Sequence, residues 1–496
     1  MILDTHNWFR HVAQSPEAAA FALRDDIFTY RELGDRVAHI RSIIRRAKRG
    51  PRNVIAVVAH EDLNTYASLL AVMAERCAYV PLDPTAPWSR NEALLKRAGA
   101  VMVLSSKAPE SGEPSSSVVH FETAGVPDEH AVYTAPTCHP ADIAYILFTS
   151  GSTGEPKGVP ITHANLLAFL EAFFATGCDI RPSDRVLQMF ALTFDLSVVC
   201  YLATFISGAC LCPVPSSGIR AVNVIKVLQD KDINVALFVP SALALMRNYF
   251  DELQFPSLRH SMFCGEALPA DLVASWAACT PNATQFNFYG PTEATIYCTY
   301  HQWQGPQSEK SVNGILAIGK PMRGMEVLVV DENDKPLEKN ITGQLCLYGP
   351  QVTHGYWNSP EITAAAFFEI ELHGETKRFY RTGDLASVDD DGDLLYFGRV
   401  DHQVKIQGYR VELGEIEFFA RKVTGDSAAA VVVPSRGGLA LHLFAVTEMT
   451  SAEVLKNLKE LLPAHMVPKR VHTVSELPLN ASGKIDRPAL AAQLQG

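Results

Sequence analysis

The sequence of 496 residues has little of what marks membrane, secreted or nucleic-acid-binding proteins. No apolar run approaches the roughly 18 residues that span a bilayer, since even the run from 191 to 214 contains Asp195 and Gly208. The first residues lack the basic stretch and apolar core of a secretory signal. Acidic residues outnumber basic ones, 54 to 43, for a formal charge of -11. This charge argues against a protein held on nucleic acid by a basic face.

Cysteine motifs are missing as well. The ten cysteines include no CxxC pair, and Cys210 and Cys212 are separated by a single residue. Dispersed cysteines in a long chain without a signal predict reduced, mostly buried thiols. Together these absences predict a cytoplasmic protein without membrane insertion and without a nucleic-acid partner.

The composition and the apolar pattern are those of a globular α/β protein. Apolar residues make up 47% of the chain and charged residues 20%, which is typical of folded domains. The length predicts two to four domains. Strand-like runs at 53–59 and 100–106 flank a helical pattern at 66–77, the rhythm of a parallel sheet. After about residue 315, short strands and tight turns predict a β-rich subdomain, and a small α+β domain follows a boundary near 398–401.

A segment rich in glycine and hydroxyl groups follows the buried strand pattern at 144–150. Glycines let backbone N–H groups converge on an anion, hydroxyls add donors, and a lysine adds a positive charge. The segment does not match the P-loop spacing, because Pro156 and Val159 occupy the wrong positions. Composition alone therefore leaves a phosphate-binding loop and a surface loop equally open. The residues concerned are Thr149, Ser150, Gly151, Ser152, Thr153, Gly154 and Lys157.

The order of these residues, FTSGSTGEPKG, resembles the AMP-binding signature of the adenylate-forming superfamily. That superfamily includes amino-acid adenylation domains, acyl-CoA synthetases and luciferases. Further segments resemble its motifs in the same order along nearly the whole chain: FTYRELGDRV, AYVPLDP, FDLSV, NFYGPTEATI, YRTGDL, GRVDHQVKIQGYRVELGEIE, LPAHMVP and NASGKIDR. The resemblance implies an enzyme that joins a carboxylate to ATP as an acyl-adenylate, with Mg²⁺, and then passes the acyl group to a thiol.

The resemblance also assigns catalytic and metal-binding roles. Both first-step reactants are anions, so preorganised cations and donors at the α-phosphate are needed. Lys484 corresponds to the lysine that bridges the carboxylate and phosphate oxygens, and Thr292 to the hydroxyl at the α-phosphate. Glu293 corresponds to the Mg²⁺ ligand, which fits a hard cation that takes few protein ligands.

For the nucleoside, the resemblance makes Asp384 the carboxylate that receives both ribose hydroxyls. Arg399 is expected on the ribose or phosphate side. Tyr289 is expected to stack on adenine, with Asn287 and a Gly265–Glu266 strand at the edge of the base. These positions, with the phosphate loop, make up the expected ATP site.

A hinge at 399–401, centred on Asp401, is implied between a large domain at 1–398 and a small mobile domain at 402–496. Rotation about this hinge would let Lys484 serve adenylation and another face, near Gly408, serve thiol transfer. Gln407 stands where arginine is common in the family.

The segment FDLSV indicates an amino-acid substrate, because amino-acid-activating members place an aspartate here to pair with the α-ammonium group. Asp195 is that residue, and a substrate without the amine should lose roughly 3–5 kcal/mol. The alternative is a structural aspartate that caps a helix. The corresponding pocket positions carry no formal charge and include two bulky aromatic rings: Leu196, Val199, Leu237, Met262, Cys264, Phe288, Ile296 and Tyr297.

A short neutral pocket favours a small amino acid, alanine first, then serine, threonine, proline or valine. FDLSV and MFCGEALP also resemble D-alanine–carrier protein ligases, which have a cysteine at the position of Cys264. D-alanine is therefore favoured, with a small L-amino acid for nonribosomal peptide synthesis close behind. No carrier domain follows residue 490, so a separate phosphopantetheinyl carrier protein is expected. An acyl-CoA synthetase and a non-catalytic nucleotide-binding protein are the alternatives.

Overall fold

The computed structural model describes most of the chain, namely residues 4–47, 53–107, 119–123, 139–150, 156–308, 310–400, 403–406, 408–435, 438–478 and 485–494. The chain forms two compact units. The first contains Met1–Pro84, Arg97–Leu147 and Gly158–Val400, and the second contains Thr85–Lys96, Phe148–Lys157 and Asp401–Gly496.

A mostly parallel sheet dominates the first unit. Its neighbouring strands, counted over the described residues, are Lys320–Pro321, Thr299–Trp303, Thr284–Tyr289, His260–Phe263, Val235–Phe238, Arg185–Gln188, Cys210–Pro213, Ala19–Leu23 and Asp26–Thr29. The strands at its centre are buried along their length, which explains their continuous apolar runs.

A second sheet contains the strand patterns seen near the start of the sequence. Its described strands, in spatial order, are Val119–Glu122, Ala100–Ser105, Val54–Val58, Ala78–Leu82, Ile143–Thr149 and Lys157–Thr162. The predicted parallel arrangement is present, since Val54–Val58 pairs in parallel with the strands on both sides.

An antiparallel sheet forms the β-rich part of the first unit. Its strands are Glu326–Val330, Gly343–Tyr348, Glu375–Val388, Phe367–Leu372 and Leu394–Arg399. Glu375–Val388 and Leu394–Arg399 form a hairpin, and its turn is fixed by the carboxylate of Asp389, which accepts from the backbone N–H groups of Asp391 and Asp393. A short pair, Ser311–Val312 with Ile315–Leu316, lies nearby in the chain.

Helices pack on these sheets, and Leu63–Ala74 and His163–Ala175 among them are largely buried and begin with side-chain caps. Asp62 accepts a hydrogen bond from the backbone of Thr65 at the start of Leu63–Ala74, and Thr162 and Asn165 cap His163–Ala175 reciprocally. The described α-helices of the first unit, one of which begins in the second, are Trp8–Gln14, Tyr30–Ala47, Leu63–Ala74, Trp88–Ala98, His163–Ala175, Leu196–Ser207, Arg220–Asp230, Pro240–Met246, Ala270–Cys279 and Pro360–Ala366. Short 3₁₀ turns occupy Arg247–Glu252, Thr292–Ala294 and Pro306–Ser308.

The second unit is a smaller α+β structure. Its described strands are Gln403–Ile406 with Tyr409–Glu412, and Ala428–Ser435, Gly438–Val446 and Arg470–Val474. Its described helices are Leu413–Thr424, Ser451–Lys459 and Arg487–Ala492, with a 3₁₀ turn at Ala464–Met466. The structure therefore has the expected α/β multidomain architecture. None of the helices that it describes is long and apolar enough to cross a membrane.

Candidate active site

Three adjacent parallel strands bring the expected pocket and nucleotide residues to one edge of the large sheet. Val235–Phe238 pairs with His260–Phe263, which pairs in turn with Thr284–Tyr289, so Leu237 lies beside Met262. The carboxyl ends of parallel strands are where open α/β sheets bind ligands. Residues far apart in the sequence therefore share one edge for a physical reason, the register of the sheet.

The expected apolar pocket residues lie in one buried core cluster. The helix Leu196–Ser207 contributes two of them, and the strands and the turn after Thr284–Tyr289 contribute the others. Gly290 permits this packing, because a Cβ atom there would overlap the backbone of Tyr297. The members of the cluster are Leu196, Val199, Leu237, Met262, Cys264, Phe288, Ile296 and Tyr297.

Two consecutive residues at the same place have a left-handed backbone. Thr295 and Ile296 have φ values of 55° and 77°, a left-handed conformation that β-branched residues rarely adopt. Such strain is found preferentially at binding and catalytic sites. The hydroxyl of Thr295 donates to the carbonyl oxygen of Gln351 at 2.5 Å, which helps to hold this turn.

Asp195 lies at the start of the pocket helix and is only 4% exposed. It precedes Leu196–Ser207, but its side chain makes no capping hydrogen bond to that helix. The helix-capping alternative therefore does not account for this residue. Burial, with the negative charge of Asp195, raises the pKa of the Tyr145 phenol well above its usual value, so an uncharged phenol lies near the carboxylate.

Asp384 is held between two side chains from different parts of the chain. The hydroxyl of Tyr289 donates to its Oδ2 at 2.5 Å, and Nη1 of Arg399 donates to its Oδ1 at 2.8 Å. Arg399 is placed by the hairpin, where it is the direct cross-strand neighbour of Asp384. Burial and the adjacent carboxylate raise the pKa of Tyr289, so this phenol remains a donor.

At the expected adenine edge, the structure corrects one expectation. Gly265 and Glu266 are not in a strand, because His260–Phe263 ends before them and Gly265 adopts φ +97°. Glu266 instead accepts from the backbone N–H and the hydroxyl of Ser241, at 2.7 and 3.0 Å. The Asn287 amide donates to the carbonyl oxygen of Ala317 at 2.9 Å. These contacts fix both side chains beside the end of Thr284–Tyr289.

Glu293 lies on the 3₁₀ turn Thr292–Ala294 and is fully buried. Its Oε1 accepts from the hydroxyl of Tyr356 at 2.7 Å, which stabilises a carboxylate that would otherwise be costly to bury. The described residues contain no cluster of three or more His, Cys, Asp or Glu side chains that could hold a metal. A single carboxylate fits Mg²⁺, which commonly takes one or two carboxylates with phosphates and waters.

The described part of the phosphate loop lies in the second unit. The hydroxyl of Thr149 is buried and has no hydrogen-bond partner among the described residues. The hydroxyl of Ser150 donates to the carbonyl oxygen of Arg410 at 2.8 Å and accepts from the backbone N–H of Glu412 at 3.1 Å. Lys157 begins the strand Lys157–Thr162. Gly151, Ser152, Thr153, Gly154, Asp401, Gln407 and Lys484 lie outside the described residues.

Sequence reasoning missed three side chains that contact or adjoin these positions. Tyr356 holds Glu293 from 63 residues away, and Ser241 holds Glu266 from 25 residues away. Tyr145 lies within electrostatic reach of Asp195. Of these three residues, only Tyr145 lies in a segment that the sequence pattern singles out, the strand before the phosphate loop. That pattern predicts a buried strand residue and not a site residue.

Comparison with known proteins agrees with this arrangement. The family model "AMP-binding enzyme" matches residues 8–357, and the model "AMP-binding enzyme C-terminal domain" matches residues 419–484. The chain belongs to the AMP-binding enzymes. The resemblance to the adenylate-forming superfamily is thereby confirmed.

This AMP-binding enzyme is similar to single regions of much longer proteins and, over nearly the full length, to one shorter protein. It is 33% identical to tyrocidine synthase 2 of Brevibacillus parabrevis over 97% of the chain, but that match spans only 13% of the synthase. Zwittermicin A synthase ZmaJ of Bacillus cereus is 31% identical over 97% of this chain and 93% of its own length.

Solved structures share the fold. The Vibrio cholerae adenylation domain AlmE, in complex with glycyl-adenosine-5'-phosphate, has a TM-score of 0.83 and 27% identity, and the match covers 99% of this chain and 97% of AlmE. PA1221, a nonribosomal peptide synthetase protein with adenylation and peptidyl-carrier domains, has a TM-score of 0.87 and 25% identity, with coverage of 99% and 84%.

Proposed function

We propose that this AMP-binding enzyme activates a small neutral amino acid as aminoacyl-AMP and transfers it to the phosphopantetheine thiol of a carrier protein. The observation that carries the amino-acid assignment is the buried, non-capping carboxylate of Asp195 beside an apolar pocket. We expect this carboxylate to pair with the substrate's ammonium group, as the aspartate at this position does in the amino-acid-activating members that the sequence resembles.

The aromatic residues of the pocket support a short side chain. Phe288 and Tyr297 stack at 4.3 Å, and Phe173 packs against both rings. Three rings in contact leave little volume for a long substrate side chain. The glycyl-adenylate bound by AlmE, a structural relative, is in keeping with this class. Within it, D-alanine is the first candidate from the sequence, followed by small L-amino acids.

For the nucleotide, we assign the ribose hydroxyls to Asp384, with Arg399 beside it and Tyr289 against adenine. Asn287 and Glu266 would border the base. Because Tyr289 and Arg399 already hold Asp384 in place, the carboxylate need not reorganise to receive ATP.

For the phosphates, we assign donors to the loop from Thr149 to Lys157 and to Thr292. Glu293 would hold Mg²⁺, with Tyr356 orienting its carboxylate, and the ion would neutralise phosphate charge when bound. Lys484 would offset the negative charge that develops between the carboxylate and the α-phosphate, and Asp401 would be the hinge for the small domain.

For the acceptor, we propose a carrier protein supplied as a separate chain. One comparison supports a carrier as the acceptor: PA1221 contains adenylation and peptidyl-carrier domains. Transfer of radiolabelled aminoacyl groups to a purified holo-carrier, with free coenzyme A as the competing acceptor, tests this step. Labelling of coenzyme A alone would favour an acyl-CoA synthetase.

Pyrophosphate exchange tests the substrate class. The panel contains both enantiomers of alanine, the small L-amino acids, propionate as an amine-free analogue of alanine, and fatty acids. We expect exchange with small amino acids and a loss of roughly 10²–10⁴-fold in Asp195→Asn, from about 3–5 kcal/mol of lost charge pairing. Thermal unfolding checks that the variant folds. Exchange with fatty acids only, or full activity of the variant, would refute the assignment of Asp195.

A further inference from the structure

The hydroxyl of Tyr297 is a buried polar group that the pocket leaves unsatisfied. Tyr297 is 0% exposed, and its hydroxyl oxygen has no hydrogen-bond partner among the described residues. Proteins pair nearly all buried polar groups, because an unpaired one has lost water without a replacement. A hydroxyl of this kind at a binding pocket indicates a partner supplied by the ligand.

The surroundings of Tyr297 hold its ring and not its hydroxyl. Its ring packs face to face with Phe288 at 4.3 Å and edge-on to Phe169 at 5.0 Å, so the packing uses only the ring. Burial first, and then the thiols of Cys178, Cys264 and Cys200, raise the pKa of Tyr297 well above its usual value. The phenol therefore keeps its proton and is available as a donor.

The three thiols lie at or next to expected pocket positions. Cys264 is itself a pocket position, and Cys200 follows Val199 on the pocket helix Leu196–Ser207. Cys178 contacts Met262, sulfur to sulfur, at 3.5 Å. Each thiol that influences the phenol thus adjoins the apolar pocket. Sulfur is a weak acceptor, so these neighbours do not replace an oxygen partner.

We infer that the Tyr297 hydroxyl donates a hydrogen bond to a side-chain oxygen of the substrate, and that the substrate is a small β-hydroxy amino acid of the serine or threonine class. This inference rests on the proposed function. Alanine has no side-chain oxygen, so it would leave the donor unpaired. The contact between the rings of Phe288 and Tyr297, at 4.3 Å, favours a short side chain over the longer amide and carboxylate ones. Serine and threonine therefore precede alanine, which reverses the order expected from the sequence.

Isosteric pairs in the exchange assay isolate the hydroxyl. L- and D-serine are compared with L- and D-2-aminobutyrate, and threonine with valine, because each pair differs by a hydroxyl against a methyl group. We expect the wild-type enzyme to prefer the hydroxy member by about 10-fold or more in kcat/KM. In Tyr297→Phe that preference should fall toward about 1, because the Tyr297 hydroxyl that distinguishes the two members of a pair is absent.

Tyr300→Phe is the matched control. It deletes the same atom from a partly exposed ring that also stacks on Phe288, at 6.1 Å, and it should keep the wild-type preference. A wild-type enzyme that favours alanine over serine, or a Tyr297→Phe variant that keeps the hydroxyl preference, would overturn the inference. If the variant does not fold, the wild-type ratios decide alone. Failure of every amino acid to support exchange would instead overturn the proposed function.

Discussion

Replacing Tyr289 by phenylalanine would remove one atom from the best-defined polar contact of the site. The ring, which is expected to stack on adenine, would remain. The lost hydroxyl donates to Oδ2 of Asp384 at 2.5 Å, and the Asp384 carboxylate would keep its contact with Arg399 at 2.8 Å. The variant therefore separates the orientation of the carboxylate from stacking on the base.

The size of the effect follows from the burial of Asp384, which is 5% exposed. A hydrogen bond to a charged group contributes about 1.5–3 kcal/mol. The free energy of unfolding should fall by up to that amount. Part of the same loss should appear in ATP binding, because a carboxylate held from one side must be ordered by the ribose. We expect kcat/KM for ATP to fall by about 5- to 50-fold.

The assay is pyrophosphate exchange with ATP varied at saturating amino acid, and then with the amino acid varied at saturating ATP. KM for the amino acid should change by less than about 2-fold, because the hydroxyl is bonded to Asp384 and not to the pocket. Tyr300→Phe again serves as the control for loss of a tyrosine hydroxyl. Unchanged ATP kinetics, or a change in the KM for the amino acid without a change in the KM for ATP, would contradict this role of the Tyr289 hydroxyl.

Two further predictions concern a buried histidine and the lysine that lies outside the described residues. Burial and the charge of His6 lower the pKa of His163 to about 3, although Asp142 and Asp4 oppose this shift. As the pH falls below about 6.5, this histidine therefore takes up a proton in the unfolded chain before it does so in the folded chain. The free energy of unfolding should therefore drop by about 2 kcal/mol more between pH 7.5 and 5 in the wild type than in His163→Gln. Urea titrations measure this difference, and equal slopes would contradict it. Lys484→Ala should cut adenylation by about 10²–10³-fold but spare transfer from preformed aminoacyl-AMP; equal losses in the two steps would contradict separate faces of the small domain.

Many helices and strands could be predicted because the spacing of apolar residues along the sequence reflects the period of each element. The apolar run at 53–59 forms the strand Val54–Val58, and most of the helical pattern at 66–77 lies in the helix Leu63–Ala74. Both depend on hydrophobic periodicity, which is a property of neighbouring residues. The prediction of a strand at Gly265–Glu266 was wrong. The apolar strand His260–Phe263 ends before these residues, and the left-handed conformation of Gly265 turns the chain there.

The sequence by itself determined the family and the residues that are candidates for the chemistry. Its ordered motifs identified the superfamily, and they singled out Asp195, Glu293 and Asp384 as carboxylates with distinct expected roles. Motifs report residue types at fixed local spacings, so they say little about what each side chain touches.

Only the tertiary structure decided the partners of those carboxylates. Tyr289 reaches Asp384 across 95 residues of chain, and Tyr356 reaches Glu293 across 63. Neither separation follows from any local period, because such contacts depend on the order in which strands join the sheets. The unsatisfied hydroxyl of Tyr297 is of the same kind: the sequence shows a tyrosine, and only the packing around it shows that its oxygen is buried without a partner among the described residues.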